Sequence, residues 1–68
     1  MVTSRLNVRI GSPTTTAPIR RVVAAGAMID VIGFTATGQA VSGNAFWYRD
    51  AAGDILWAGA TDRPHPAV

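Results

Sequence analysis

Two aromatic-rich runs, Ala45-Phe46-Trp47-Tyr48-Arg49 and Ile55-Leu56-Trp57-Ala58, flank the connection Asp50-Ala51-Ala52-Gly53-Asp54. Strand-favouring residues on both sides of a Gly- and Asp-bearing link predict a β-hairpin. The link is too long for a two-residue turn, so a type I turn with Gly53 in the left-handed region is expected. Alternation then places Phe46 and Tyr48 on one face of the first strand and Trp47 and Arg49 on the other. On the second strand Ile55 and Trp57 share a face opposite Leu56 and Ala58. Both faces of the hairpin therefore carry aromatic side chains. One face must enter a core, which makes the other the first place to look for a ligand.

The remaining chain supplies short strands and ordered turns. In Arg5–Ile10, Leu6, Val8 and Ile10 alternate with Arg5, Asn7 and Arg9, the pattern of a half-buried strand. Gly11–Pro18 is a loop by composition, stiffened by its two prolines. Ile19–Val23 reads as a second strand, Ala24-Ala25-Gly26 as a turn, and Ala27–Phe34 as a third strand with Ile29 and Val31 facing inward. Thr35–Gly43 is a polar connection with a short paired segment near Gln39–Val41. Leu6, Val8, Ile29, Val31 and Tyr48 make up the expected core. Met1–Ser4 reads as a frayed start, and the prolines of residues 63–68 suggest a departing tail or linker. Five short strands in 68 residues favour an all-β fold, a small closed barrel that leaves no edges exposed.

Composition narrows the function classes. The chain is 49% hydrophobic and 15% charged, and it has no cysteine for disulfides or thiolate metal sites. No stretch approaches the roughly 20 apolar residues of a membrane span, so membrane insertion is not expected, and no signal-peptide pattern opens the chain. The isoelectric point near 10.6 reflects six arginines opposed by four aspartates, a net charge of only +2. Apart from Arg20-Arg21 these arginines are scattered, whereas phosphate tracking needs a clustered basic stripe, so nucleic acid is not an expected partner. The single histidine, His65, lies between two prolines, and Ser4, Ser12 and Ser42 have no base partner in view. Four scattered aspartates do not make a metal site. The expectation is a protein that is not an enzyme and uses no metal or cofactor.

The residues Leu6-Asn7-Val8-Arg9 before a Gly/Ser/Pro/Thr loop, Ala25-Gly26-Ala27 before Ile29 and Val31, and Gly43-Asn44-Ala45-Phe46-Trp47-Tyr48 followed by Trp57-Ala58-Gly59-Ala60 carry a resemblance. Together they resemble the opening, third-strand and closing motifs of the bacterial SH3-like domain family, over Leu6 to Asp62. The chain departs from the family pattern at Ile10, where a small polar residue is usual, and in a first loop about one residue longer. The resemblance implies an SH3-like barrel over residues 5–62 that serves as a non-catalytic accessory module of a larger protein of the cell envelope or exterior. It also implies a cell-wall peptide or a partner protein as ligand.

On that reading Trp47, Trp57 and Tyr48 are the candidate binding residues, because an indole or phenol offers large apolar area at little entropic cost. Arg9 and Arg49 are the candidates for meeting a ligand's carboxylates. Asp50, Asp54 and Asp62 could read cationic groups, although Asp50 and Asp54 also suit turn positions, and Asn7 suits a backbone brace. The alternative function is a structural or self-association module, a homo-oligomer or a parent-bound domain, that packs its aromatic hairpin against another copy or its parent.

Overall fold

Alternating apolar residues at Leu6 and Val8 form β1 (Leu6–Arg9), and the β-branched run that follows the proline loop forms β2 (Ile19–Val23). Further along are β3 (Val31–Thr35), β4 (Trp47–Asp50) and β5 (Ile55–Trp57), with a short 3-10 turn at Ala58–Ala60. These come from a computed structural model, which describes residues 1–65. The five strands make one antiparallel sheet in the order β2-β1-β5-β4-β3. The fold is all-β, and its extents of 23 × 22 × 22 Å show how strongly the sheet curls into a barrel-like body.

The hairpin forms as its sequence predicts. Trp47 pairs with Trp57, Tyr48 with Leu56 and Arg49 with Ile55. Gly53 takes φ +85°, a conformation a side chain would resist, and its N–H donates to the Asp50 carbonyl at 2.9 Å. The Asp50 carboxylate accepts the N–H groups of Ala52 (3.0 Å) and Asp54 (2.9 Å), which satisfies donors a bare turn would leave open. At Ala24–Gly26 the predicted turn is present too, with Gly26 at φ +91°. Val41 bridges Asn44 across Ser42 and Gly43, both at positive φ, the signature of a type I′ turn.

The core lies on the Tyr48 face of the sheet, where Val2, Leu6, Val8, Val23, Tyr48, Leu56, Ala58 and Ala60 pack together. Three expectations are corrected. Met1–Ser4 is not frayed: Val2 is 1% exposed, donates its N–H to the Ala27 carbonyl and accepts from Gly26 N–H, and it forms an antiparallel bridge with Thr61 on its other side. Val31 is not core: it is 44% exposed, since β3 starts there rather than at Ala27 and is an edge strand bulged between Val31 and Gly33. Ile29 does pack partly against the core, with Met28 and Asp30 outward. Finally, among the described residues no ladder joins β2 to β3, so both are edges there and the barrel is not closed by strand pairing. The Ala24–Asp30 segment spans the gap instead, held by Val2 and by Ala51 N–H donating to the Asp30 carbonyl at 2.9 Å.

The C-terminal residues that are described also turn back onto the body. Tyr48 donates its hydroxyl to the Arg63 carbonyl, Asn44 Nδ2 donates to the Pro64 carbonyl at 2.8 Å, and the His65 ring meets Phe46 edge-on at 5.8 Å. The expected tail beyond His65 lies outside the described residues.

These placements separate two substitutions of similar chemistry. Leu56→Ala empties a fully buried site and should lower stability by about 3 kcal/mol, whereas Val31→Ala on the exposed edge should cost less than about 1 kcal/mol. Paired denaturant melts will read both, and equal losses would mean that β3 is covered.

Candidate functional site

The face opposite the core carries Asn7 and Arg9 from β1, Ile55 and Trp57 from β5, and Trp47 and Arg49 from β4. Arg9 pairs with Ile55, and Ile55 with Arg49. Two loops fold over part of this face, and their attachments depend on side chains. Gln39 accepts Thr15 N–H (2.9 Å) and hydroxyl (3.2 Å) through Oε1, while its own N–H donates to the Pro13 carbonyl at 2.8 Å. The Trp47 indole N–H donates to the Gln39 carbonyl at 2.9 Å, and Arg9 Nη1 donates to the Ala17 carbonyl at 2.8 Å. The proline loop is ordered, as its composition predicts.

Trp47 therefore lies beneath the loops, 2% exposed, and is not the free platform the sequence allowed. Its ring sits against Gly38, where an added Cβ would come within 2.3 Å of Trp47 Cδ1. Trp57 is handled in the same way on its own side. A Cβ on Gly59 would fall 2.2 Å from Trp57 Cζ2, and the Trp57 indole donates to the Asn44 carbonyl at 3.0 Å. Trp57 is only half-buried, however, so part of its ring meets solvent. Neither role was visible in the sequence, because Gly38 and Gly59 look like ordinary loop punctuation until a ring is found lying on them.

Beside the two indoles is a groove of about 220 Å³ lined by Ser4, Arg5, Leu6, Asn7, Arg9, Thr15, Val41, Trp47, Trp57 and Ala60. Its lining is mostly apolar and includes two arginines, Arg5 and Arg9. Among the described residues no carboxylate lines the groove, and neither Arg5 nor Arg9 has an acidic partner. Of the five expected binding residues, Trp47, Trp57 and Arg9 come together here. Arg49 is exposed elsewhere, its Nη1 donating to the Gly53 carbonyl at 3.3 Å. Tyr48 points into the core. Arg5 and Asn7 line the groove because they alternate with the buried Leu6, a signal the β1 pattern already contained. Among the described residues no side-chain hydrogen bond from Asn7 braces a turn; Asn44 does so in its own loop, its Oδ1 accepting Phe46 N–H at 2.8 Å.

The aspartates serve the framework. Asp50 and Asp54 are buried and pair with Arg21 (3.4 Å) and Arg20 (3.2 Å), and Asp62 accepts from the Met1 amine at 2.7 Å. That contact holds the exposed Asp62 carboxyl below the ordinary carboxylate range. A larger cavity of about 310 Å³ opens between Met1, Ile29, Val31, Tyr48 and Arg63, but its polar rim includes this already paired Asp62. Among the described residues no group of three or more His, Asp or Glu converges as metal ligands, and no helix is long and apolar enough to cross a membrane. No known family model matches the chain, and no curated protein is significantly similar to it.

Two outcomes follow from the aromatic geometry. Gly59→Ala must displace the Trp57 ring, because the added methyl would overlap it, and the half-exposed ring has solvent to move into. It should cost about 1–3 kcal/mol and shift Trp emission to the red; an unchanged spectrum would show that the ring does not rest on Gly59. Tyr48 is the chain's single tyrosine, so phenolate absorbance reports it directly. Burial raises its pKa above the ordinary 10.0, partly opposed by Arg63 and assisted by Asp62. The neutral form is thus the one the fold favours. Its stabilisation is intact below pH 10, is lost as pH climbs through the folded value, and should disappear as a titration shift in denaturant.

Proposed function

We propose that the chain is a non-catalytic binding module whose ligand is an extended, carboxylate-bearing peptide lying along the Trp57 groove. The observation that carries this reading is the pairing of a half-exposed indole with Arg5 and Arg9 in a groove lined by no acid among the described residues. An apolar ring gives a peptide stem contact area, and guanidinium groups fork onto carboxylates in a bidentate geometry that a single ammonium does not match. The volume suits one or two side chains rather than a whole small molecule, so affinity is modest and most of the ligand lies on the surface. The motif resemblance to bacterial SH3-like domains supports a peptide of the bacterial cell wall as the ligand class, with a partner protein's segment as the next. In either case the module directs a larger protein to its target.

Retention on purified peptidoglycan, read together with intrinsic Trp fluorescence, tests this. Arg5→Glu should weaken retention at least about tenfold without moving the melting midpoint, because Arg5 is exposed and belongs to no framework contact among the described residues. Wild-type protein that is neither retained nor spectrally shifted would exclude wall peptide as the ligand.

A further inference from the structure

The two edges of the sheet are built differently. β2 carries Arg20 and Arg21, exposed and ion-paired to the Asp50–Asp54 turn, which is charge placed where another strand would have to dock. β3 is Val-Ile-Gly-Phe-Thr, with no charge, and it belongs to an uncharged run from Val31 to Tyr48. Its apolar side chains are open: Val31 44%, Ile32 66% and Phe34 50% exposed, next to Met28 at 78%. The bulge between Val31 and Gly33 does not shield this edge; it leaves Ile32 as an additional apolar knob in solvent.

We propose that the β3 edge is a self-association surface and that its occupant is β3 of a second copy, paired antiparallel about a twofold axis at Gly33. Charge chooses the occupant. A charged segment would find no counter-charge along residues 31–48, whereas a second copy brings an equally uncharged, β-branched and aromatic strand. Twofold pairing at Gly33 sets Ile32 against Phe34 of the other copy on both sides of the axis, and Val31 against Thr35. Gly33 has no side chain to crowd the axis, so the two backbones can approach there. Met28, Val31, Ile32 and Phe34 together expose on the order of 400 Å² of apolar surface, the size of a functional patch. Doubled by symmetry and extended by flanking backbone, this approaches the roughly 1,200 Å² of the smaller specific interfaces. The Trp57 groove is lined from β1, β4, β5 and the loops and includes no β3 residue, so a dimer keeps two open grooves for a repetitive ligand.

The test is sedimentation equilibrium of the whole chain from about 10 μM to about 1 mM, the range in which an interface of this size assembles. The mass should rise from the 7.1 kDa monomer toward twice that value. Ile32→Lys should hold the protein monomeric at every concentration with an unchanged far-UV spectrum. Phe34→Lys should do the same, and because Phe34 also lies 6.0 Å from Phe46, Ile32→Lys decides the matter if Phe34→Lys unfolds. Val22→Lys, on the opposite edge, should leave the dimer intact. A wild-type monomer at about 1 mM overturns the proposal and leaves the edge to a strand of another protein, as does a dimer that Ile32→Lys does not dissociate. Peptidoglycan retention by the Ile32→Lys monomer, weaker than wild type but present, would separate this surface from the groove.

Discussion

The Asp50 carboxylate is the point on which the sheet depends. It ends β4, accepts two backbone N–H groups of the turn it begins, and faces Arg21 from β2, a strand two places away from β5 in the sheet. Asp54, at the other end of the turn, meets Arg20, and Ala51 between them donates to the Asp30 carbonyl just before β3. One turn thus touches the approaches to both free edges. A sheet of five strands without ladder closure has little else to hold its curl at this end. The carboxylate is 3% exposed, so breaking its contacts would leave a charge without solvent or partners, and the arrangement tightens as a unit.

The opposite end is held by aromatic rings resting on glycines. Trp47 lies on Gly38 and Trp57 near Gly59, and each indole N–H reaches a loop carbonyl, of Gln39 and of Asn44. Such bonds turn large apolar side chains into tethers, since an indole buried without an acceptor would cost more than its area returns. The groove is a consequence of this packing. Trp47 is used up in fastening the loops, Trp57 is left half-covered at the margin, and Arg5 and Arg9 fall beside it because their neighbours Leu6 and Val8 point inward.

The parts of the fold that follow local chemistry were legible in the sequence. Alternation in β1, the hairpin with Gly53 at positive φ and the Ala24–Gly26 turn all depend on residues close together in the chain. What was hidden depends on distant partners. Val2 becomes core only through distant backbone partners, Gly26 and Ala27 on one side and Thr61 on the other. Val31 has the composition of a core residue, yet it stands on an edge that no strand among the described residues covers. Trp47 and Trp57 have the same side chain and directly opposed positions, and only the loops of residues 11–18 and 38–41 decide which is enclosed. For the candidate site, alternation was enough to bring Arg9 and Trp57 to one face, and the same rule would have selected Arg5. It also admitted Arg49, which shares the face but stands on the far side of Ile55 from Arg9, with its guanidinium donating to the Gly53 carbonyl.

Charge divides the molecule in a way that the two faces of the sheet do not. Every arginine and aspartate lies outside residues 31–48, so β3 and the connection to β4 rely on packing and backbone bonding alone. A chain of 68 residues without disulfides has a small margin of stability, and charge at every edge would desolvate groups it could not fully compensate. Ionic contacts are instead concentrated at the Asp50–Asp54 turn, where one set of carboxylates serves both the turn and β2. Of the four arginines outside those contacts, Arg5 and Arg9 stand beside the partly open indole. The same economy that stabilises the fold thus produces a cationic groove on one side and an uncharged strand edge on the other.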